Sequence, residues 1–328
     1  MEKLIFSKEE MLKIEKEEFY TALNCIEKLK KMFEQGNVPT AYNEADKQFV
    51  NTILDIVLNG RMSGEDVRTK WPSDKTRARY ISRHGVTNRY NLEKEFPILT
   101  IRNCKGALAK SIDEIDWIYF KQSNNVNDLG SKIWDQWADK NGYIGKAYGY
   151  QINKPIRVKT REGKFVWMDQ LEQICYQLKH DKESRRIITE MYNMEEIVDM
   201  NLAPCAHGTQ WLVKDGRLDL ILTQRSQDML TANGWNVMQY AAFQTYMAKA
   251  FNLIPGELIH NIGDCHIYLR HLPQIVKLFE ANDCKNISAK LKYTGDINNP
   301  VKDFNKNLFI LEGYEASSVK IGKIEVAE

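Results

Sequence analysis

Apolar positions along the chain recur with two periods, and each period predicts an element. Over 7–35 they fall at Met11, Ile14, Phe19, Leu23, Ile26 and Met32, close to the spacing of one helical face. Ser7 and Glu10 form a capping-box signature at the start of this helix, and the Gly36–Pro39 stretch ends it. The same criterion predicts helices over Glu44–Leu58, 106–121, 169–180, 236–251 and 271–281, with Asn236 read as the N-cap of the helix it opens. Strand-like runs occur at Arg186–Tyr192, Thr209–Val213, Arg217–Gln224, Glu257–Ile262 and Leu308–Leu311. Lys214-Asp215-Gly216 between the second and third of these reads as a hairpin turn. Residues 59–90 are polar and Arg-rich with few periodic apolar positions, so mostly loop with a short strand is predicted there. Helices mixed with adjacent strands, without strict alternation, indicate an α+β domain. No internal repeat, low-complexity segment or clear linker interrupts it.

Length and charge narrow the function classes. The 328 residues suffice for one large domain with a substantial core. Against 46 Lys+Arg stand 44 Asp+Glu, a net charge of +2, which argues against a nucleic-acid binder held by bulk charge. No run approaches the roughly 20 apolar residues of a membrane span, and Met1-Glu-Lys-Leu-Ile-Phe leading into Ser-Lys-Glu-Glu does not read as a signal peptide. The six cysteines are scattered without a CxxC pair, which argues against a disulfide framework or structural zinc and for a reducing, cytoplasmic setting.

Candidate chemistry begins at Leu202-Ala-Pro-Cys205. Pro204 cannot donate to a sheet ladder, so Cys205 is expected at a strand edge beside an opening. A lone cysteine is ordinarily a small buried hydrophobe; nearby cations change that by lowering its pKa. Arg68, the pair Arg185-Arg186, and Gln224-Arg225-Ser226 are the candidate cations and donors. Each alone is ordinary surface chemistry, but guanidinium forks with a serine suit a phosphate dianion. Asn236 carries one acceptor and two donors, enough to read an imide edge, although an N-cap role alone also accounts for it. His266 and Tyr268 alternate on an extended segment and can share a ligand, or be satisfied core polar groups. A metal site fits poorly, because the adjacent Cys265 and His266 would point to opposite faces. Glu114 in an apolar stretch becomes a proton-handling group if it turns inward. Trp134 and Trp137 offer stacking surfaces for a flat heterocycle, or simply core.

Together these residues resemble thymidylate synthase. The motifs stand in family order: Arg68-Thr69, Glu114 before Trp117, Ile133-Trp-Asp-Gln-Trp-Ala138, Tyr148-Gly149, Ser184-Arg-Arg-Ile187, Ala203-Pro-Cys205, Gln224-Arg-Ser-Gln-Asp228, Asn236, Gly263-Asp-Cys-His-Ile-Tyr268, and a tail ending Glu325-Val-Ala-Glu328. The resemblance covers roughly 45–328. It implies a three-layer fold around a large mixed β-sheet, with two subunits packed sheet against sheet. It also implies a helical extension over 1–40 and one catalytic domain over 41–328.

The implied activity is methylation of dUMP to dTMP, with 5,10-methylenetetrahydrofolate as co-substrate, dihydrofolate as second product and no metal. Cys205 would add to C6 of the uracil, and Asn236 would hold O4 and N3–H. Arg68, Gln224, Arg225, Ser226 and, from the partner subunit of an obligate homodimer, Arg185 and Arg186 would bind dUMP through its phosphate end. His266 and Tyr268 would bind its deoxyribose. Glu114 would supply a proton to the leaving folate nitrogen and Tyr148 would help remove the C5 proton. Trp134, Trp137, Asp228, Trp235 and the tail residue Ala327 would line the folate side. No membrane or nucleic-acid partner is implied.

Three departures stand out. Ala206 replaces a common His after the nucleophile, with His207 one place further. Thr231-Ala-Asn-Gly-Trp-Asn236 replaces a Leu-Gly-Leu-Pro-Phe-Asn stretch. Glu328 stands where a hydrophobic residue is common. One rival is a dUMP hydroxymethylase on the same fold, in which water replaces hydride; Trp134 and the tail would exclude that water, and Asn236 argues against a dCMP enzyme. Another is an inactive homologue that binds nucleotide or RNA, against which the complete residue set and near-zero charge both speak.

Overall fold

The structure of the chain, a computed structural model, describes residues 6–328. The signal-peptide reading of the start and the beginning of the 1–40 extension fall on residues 1–5, outside the described residues. Seven helices are described: α1 (Lys8–Glu34), α2 (Glu44–Asn59), α3 (Lys105–Ile115), α4 (Gly149–Ile152), α5 (Gln170–His180), α6 (Asn233–Ala250) and α7 (Leu272–Ala281). The strands are β1 (Arg61–Met62), β2 (Tyr80–Asn91), β3 (Ile156–Lys159), β4 (Phe165–Met168), β5 (Ile188–Glu190), β6 (Ala206–Lys214), β7 (Arg217–Asp228), β8 (Ile254–Tyr268), β9 (Lys290–Tyr293) and β10 (Phe309–Glu312). No described helix is long and apolar enough to cross a membrane.

Local chemistry accounts for most boundaries. Ser7 and Glu10 close the expected capping box on α1, and Asp169 with Glu172 closes another on α5. The β6–β7 hairpin turns on Asp215 and Gly216, both at positive φ (50° and 75°), the conformation of a two-residue type I′ turn. The predicted helix at 106–121 is α3 followed by one π-helical turn at Asp116–Phe120.

A six-stranded mixed sheet ordered β1-β2-β8-β7-β6-β5 organises the chain. Its neighbours are antiparallel except β7 and β8, which run parallel across the α6 crossover. Where mostly loop with a short strand is predicted over 59–90, residues 80–91 form a 12-residue strand paired along β8. Their pattern hid this: Arg83, His84, Thr87 and Arg89 are exposed, and only Ile81, Ser82, Asn88 and Tyr90 turn inward to burial. Helices α2 and α6 pack on one face of the sheet, where Leu218, Leu220 and Leu222 of β7 and Leu258 and Ile262 of β8 are buried. The opposite face carries rows such as Thr87, Asn261 and Thr223, or Arg89, Ile259, Ile221, Gln210 and Ile188, which none of the described helices covers.

Leu222 is fully buried between this sheet and α6. Leu222→Ala is therefore expected to lower the unfolding free energy by about 2–5 kcal/mol, read from urea unfolding of variant and parent at equal protein concentration.

Candidate active site

The parallel register of β7 and β8 sets two strand ends side by side: Ser226 pairs with Asp264 and Asp228 with His266. Ligands in sheets of this kind collect at the carboxyl ends of parallel strands. Cys205 joins them from the side, because the Arg225 N–H donates to its carbonyl at 2.9 Å just before β6 begins. The chain then passes through Met229–Ala232 into α6, whose first turn brings Asn236 to the same end.

Cys205 is half-buried, and its Sγ lies 3.5 Å from Nη2 of Arg225. That guanidinium is itself fixed, donating from Nε to the Pro204 carbonyl at 3.0 Å and from Nη2 to the Ala203 carbonyl at 2.8 Å. Burial pushes the thiol above its usual value and Arg225 draws it back only in part. The expectation that arginines of this chain favour the thiolate thus holds for one cation, and desolvation outweighs it. The Cys205 N–H donates to the Tyr148 hydroxyl at 3.2 Å. Tyr148 is buried, and it holds φ 49° and ψ −107°, a region a bulky residue rarely visits. Burial and the neighbouring Cys205 keep its phenol protonated.

Glu114 does turn inward. It is buried at the end of α3, and its Oε2 accepts from the Trp235 indole at 2.6 Å. Burial pushes its carboxyl up to about 7, against hydrogen bonds from Trp235, Trp134 and Gln239. Trp134 is also buried, its ring 4.8 Å from Tyr148 and 5.3 Å from the half-buried Trp137.

Asn236 does not cap α6, which begins three residues earlier at Asn233; in the first turn its backbone N–H is already inside the helix, donating to Ala232 at 2.9 Å. Its side chain is oriented by neighbours instead. Oδ1 accepts from Nε2 of Gln224 at 3.3 Å and Nδ2 donates to Gln239 at 3.2 Å. Gln224 is in turn held by Nε2 of His260 at 2.8 Å and by the Ser226 carbonyl at 2.8 Å. Burial lowers His260 to about 3, so it is a neutral ring with one N–H to give. Sequence reading placed Gln224 at the ligand and missed Gln239 and His260. The available signal was a histidine six places before His266 on the same face of β8, among apolar neighbours.

His266 and Tyr268 do lie together, ring centres 4.9 Å apart, and Asp264 holds His266 Nδ1 at 3.0 Å. Asp228 lies beside them, with its oxygens engaged by the Leu230 N–H at 2.9 Å and the Thr231 hydroxyl. Burial works to raise this carboxyl, but the hydrogen bond and charge of His271, with Thr231, outweigh it and hold it at about 2. Arg68 is exposed on the segment before β2, three residues ahead of Trp71, whose ring packs 5.3 Å from Tyr268. Ala327 is tied to that segment, because its neighbour Glu328 exchanges backbone hydrogen bonds with Lys70 at 2.8 and 2.9 Å.

Arg185 and Arg186 are not brought to Cys205. Both are exposed ahead of β5, and the Arg185 carbonyl is held by Gln210, five positions along β6 from Cys205, roughly 16 Å of extended chain. His207 turns to Glu190 at 2.8 Å and is not among the thiol's contacts. No group of three or more His, Cys, Asp or Glu suited to a metal occurs among the described residues.

Comparison with known proteins agrees with this arrangement. The thymidylate synthase family model matches residues 47–327. A thymidylate synthase of Bacillus subtilis subsp. natto is 43% identical over 234 residues, covering 70% of this chain and 81% of that protein. One from Bacillus mojavensis is 39% identical over 281 residues, covering 84% and 95%. Among solved structures, the thermostable thymidylate synthase A from Bacillus subtilis superposes with a TM-score of 0.77 at 38% identity, over 87% of this chain and 99% of that one. A half-open thiol beside a fixed guanidinium, an oriented amide and a buried protonatable carboxyl therefore sit in a chain that belongs to the thymidylate synthase family.

Proposed function

We infer that Cys205 is the nucleophile of the reaction that family membership assigns, the reductive methylation of dUMP to dTMP by a methyltransferase. The observation that supports this is its half-buried sulfur, 3.5 Å from Nη2 of the fixed Arg225, with the Cys205 N–H donating to the Tyr148 hydroxyl. Addition of the thiolate to C6 moves electron density to C5 and O4 of the uracil, which makes C5 a carbon nucleophile. Asn236, its amide orientation fixed by Gln224 and Gln239, presents the acceptor and donor that match N3–H and O4. Arg225, Ser226 and Arg68 hold the 5′-phosphate, and His266 with Tyr268 holds the deoxyribose.

The folate co-substrate supplies the one-carbon unit and the hydride. In this reading Trp134, Trp137 and Trp235 are its flat apolar walls, Asp228 its hydrogen-bonding partner and the tail around Ala327 its cover. Glu114, near 7, carries a proton at neutral pH and gives it up readily, as protonation of a leaving nitrogen requires. Tyr148 acts as a hydrogen-bonding relay for the C5 proton, since its phenol stays protonated.

A homodimer completes the site. The uncovered sheet face, with Ile188 48% exposed in its outer row, is the surface that pairs with a second copy of this chain. That copy supplies Arg185 and Arg186, whose charge lowers the Cys205 thiol further. The 41–328 region is read as the catalytic domain and 1–40 as an appended helical extension.

Cys205→Ser should retain dUMP binding and lose folate-dependent tritium release from 5-tritiated dUMP; release at the parental rate would place the nucleophile elsewhere. Glu114 has its own pH signature. A carboxyl raised to about 7 favours folding while neutral, fully below its ordinary 4.5, and that contribution disappears as pH rises through 7. The proton it donates is lost over the same range. The parental kcat/KM for folate should therefore fall above pH 7, whereas Glu114→Gln should be roughly 10²–10⁴-fold slower and lack that limb. Asn236→Asp should shift the ratio of dUMP to dCMP turnover toward dCMP by about 10² or more, measured as kcat/KM for each nucleotide.

A further inference from the structure

Helix α1 lies outside the region shared with the family, residues 47–327, yet it turns two carboxylates inward. Ala22, Ile26 and Leu29 are the buried part of its inner stripe, and one and two turns earlier the same stripe carries Glu18 and Glu15. Carboxylates in such positions cost stability unless they are paired. Glu15 takes Arg77, with Nη2 at 2.6 Å and the Arg77 backbone N–H at 2.9 Å. Glu18 takes Nε of Arg270 at 2.8 Å.

Arg270 spends its other N–H groups on two further segments. Nη2 donates to Asp74 at 2.9 Å and to Thr76 at 3.0 Å, and Nη1 donates to Glu325 at 3.0 Å. Its plane lies over the Trp71 ring, 4.4 Å from the centroid. Glu325 also accepts from the Ser73 N–H at 2.8 Å. One guanidinium thus joins α1, the loop that follows Arg68 and the C-terminal tail. Asp74 and Glu325 carry like charges and share this cation; Glu18, at the remaining Nε, fixes the plane in which it faces both.

We propose that α1 is a brace for the active site: Glu18, acting through Arg270, holds the tail against the 71–76 loop and so over the folate side, and the extension sets folate affinity without touching folate. This rests on the reading of the tail as the folate cover. Glu18 and Arg270 are positioning residues, and their effect should appear in one substrate only.

Three full-length proteins test it: the parent, Glu18→Gln, which keeps the size and loses the charge, and Leu29→Ala, which loosens α1 packing while leaving the ion cluster in place. Glu18→Gln is expected to raise KM for methylenetetrahydrofolate by roughly fivefold or more, the scale of a modest coupling between sites, with KM for dUMP unchanged. Amide hydrogen exchange over 321–328 and 73–79 should quicken in the same variant. Unchanged folate KM with unchanged exchange would overturn the brace, as would an equal folate KM change in Leu29→Ala, which would mark a general packing effect. Should the parent show no folate-dependent turnover, the catalytic reading fails, and the exchange comparison still decides whether Glu18 holds the tail.

Discussion

The parallel pairing of β7 with β8 is the constraint from which the rest of the site follows. Because the α6 crossover returns the chain beside β7 in the same direction, both strands finish at one end of the sheet. Register then aligns Ser226 with Asp264 and Asp228 with His266. A slip of one residue would turn every one of these side chains to the other face. The same register positions β2, whose Tyr80 pairs with Tyr268, and through the Arg225 N–H it anchors the Cys205 carbonyl. Cys205 is thus located by a sheet it does not belong to. The precision expected of a catalytic group is drawn from backbone ladders on rigid elements and not from its own loop.

Electrostatics at this end of the sheet is governed by desolvation. Burial raises Cys205, Glu114 and Tyr148 together, so within a single chain the pocket favours their neutral forms. For Glu114 that is useful, since a carboxyl near 7 is a proton donor at neutral pH. For Cys205 it is an obstacle, and Arg225 offsets it only in part. The two groups have opposite needs, and one chain's environment serves only the first. Cations brought by a second copy would act on the thiol while leaving the carboxyl deep behind Trp235, which would make dimerisation a chemical requirement of the proposed mechanism.

Much of this was legible in the residues, unevenly and for physical reasons. The capping box at Ser7 and the Asp215-Gly216 hairpin turn are local devices, and each formed where its residues predict. Strand β8 extends well beyond the predicted Glu257–Ile262, because its breakers are harmless in place: Pro255 stands near its start, and Gly256 and Gly263 admit close neighbours, the Asp219 carboxylate and the Arg225 backbone. Strand β2 escaped because much of 83–89 is exposed and polar, so its apolar alternation is diluted by residues such as Arg83, paired with Asp55 at 3.1 Å, and Arg89, paired with Glu257 at 2.8 Å. Leu23 was assigned to the inner face of α1 and is 39% exposed, while Leu29 and Ala22 are buried there instead. The true stripe contains glutamates, which an apolar search discards. The candidate site residues were singled out as a set through their resemblance to a family. What that reading could not reach was the layer behind them, His260 and Gln239, whose role is visible only once β8 and α6 are placed.

The departures from the family pattern can be weighed by what each touches. His207 is occupied by Glu190, so it does not compensate for Ala206; the thiol is met by Arg225, while Tyr148 accepts from the Cys205 backbone N–H. Trp235 has a larger consequence. Where the family pattern has Phe, this chain has an indole whose N–H is given to Glu114. A hydrogen bond to a carboxylate stabilises its charged form, so Trp235 works against the burial that raises Glu114. Burial still wins, since the carboxyl rests near 7, but the margin is narrowed by a group that a phenyl ring cannot supply. In the proposed roles, the same residue would wall the folate site and would keep the carboxyl that protonates the folate more acidic than burial alone leaves it.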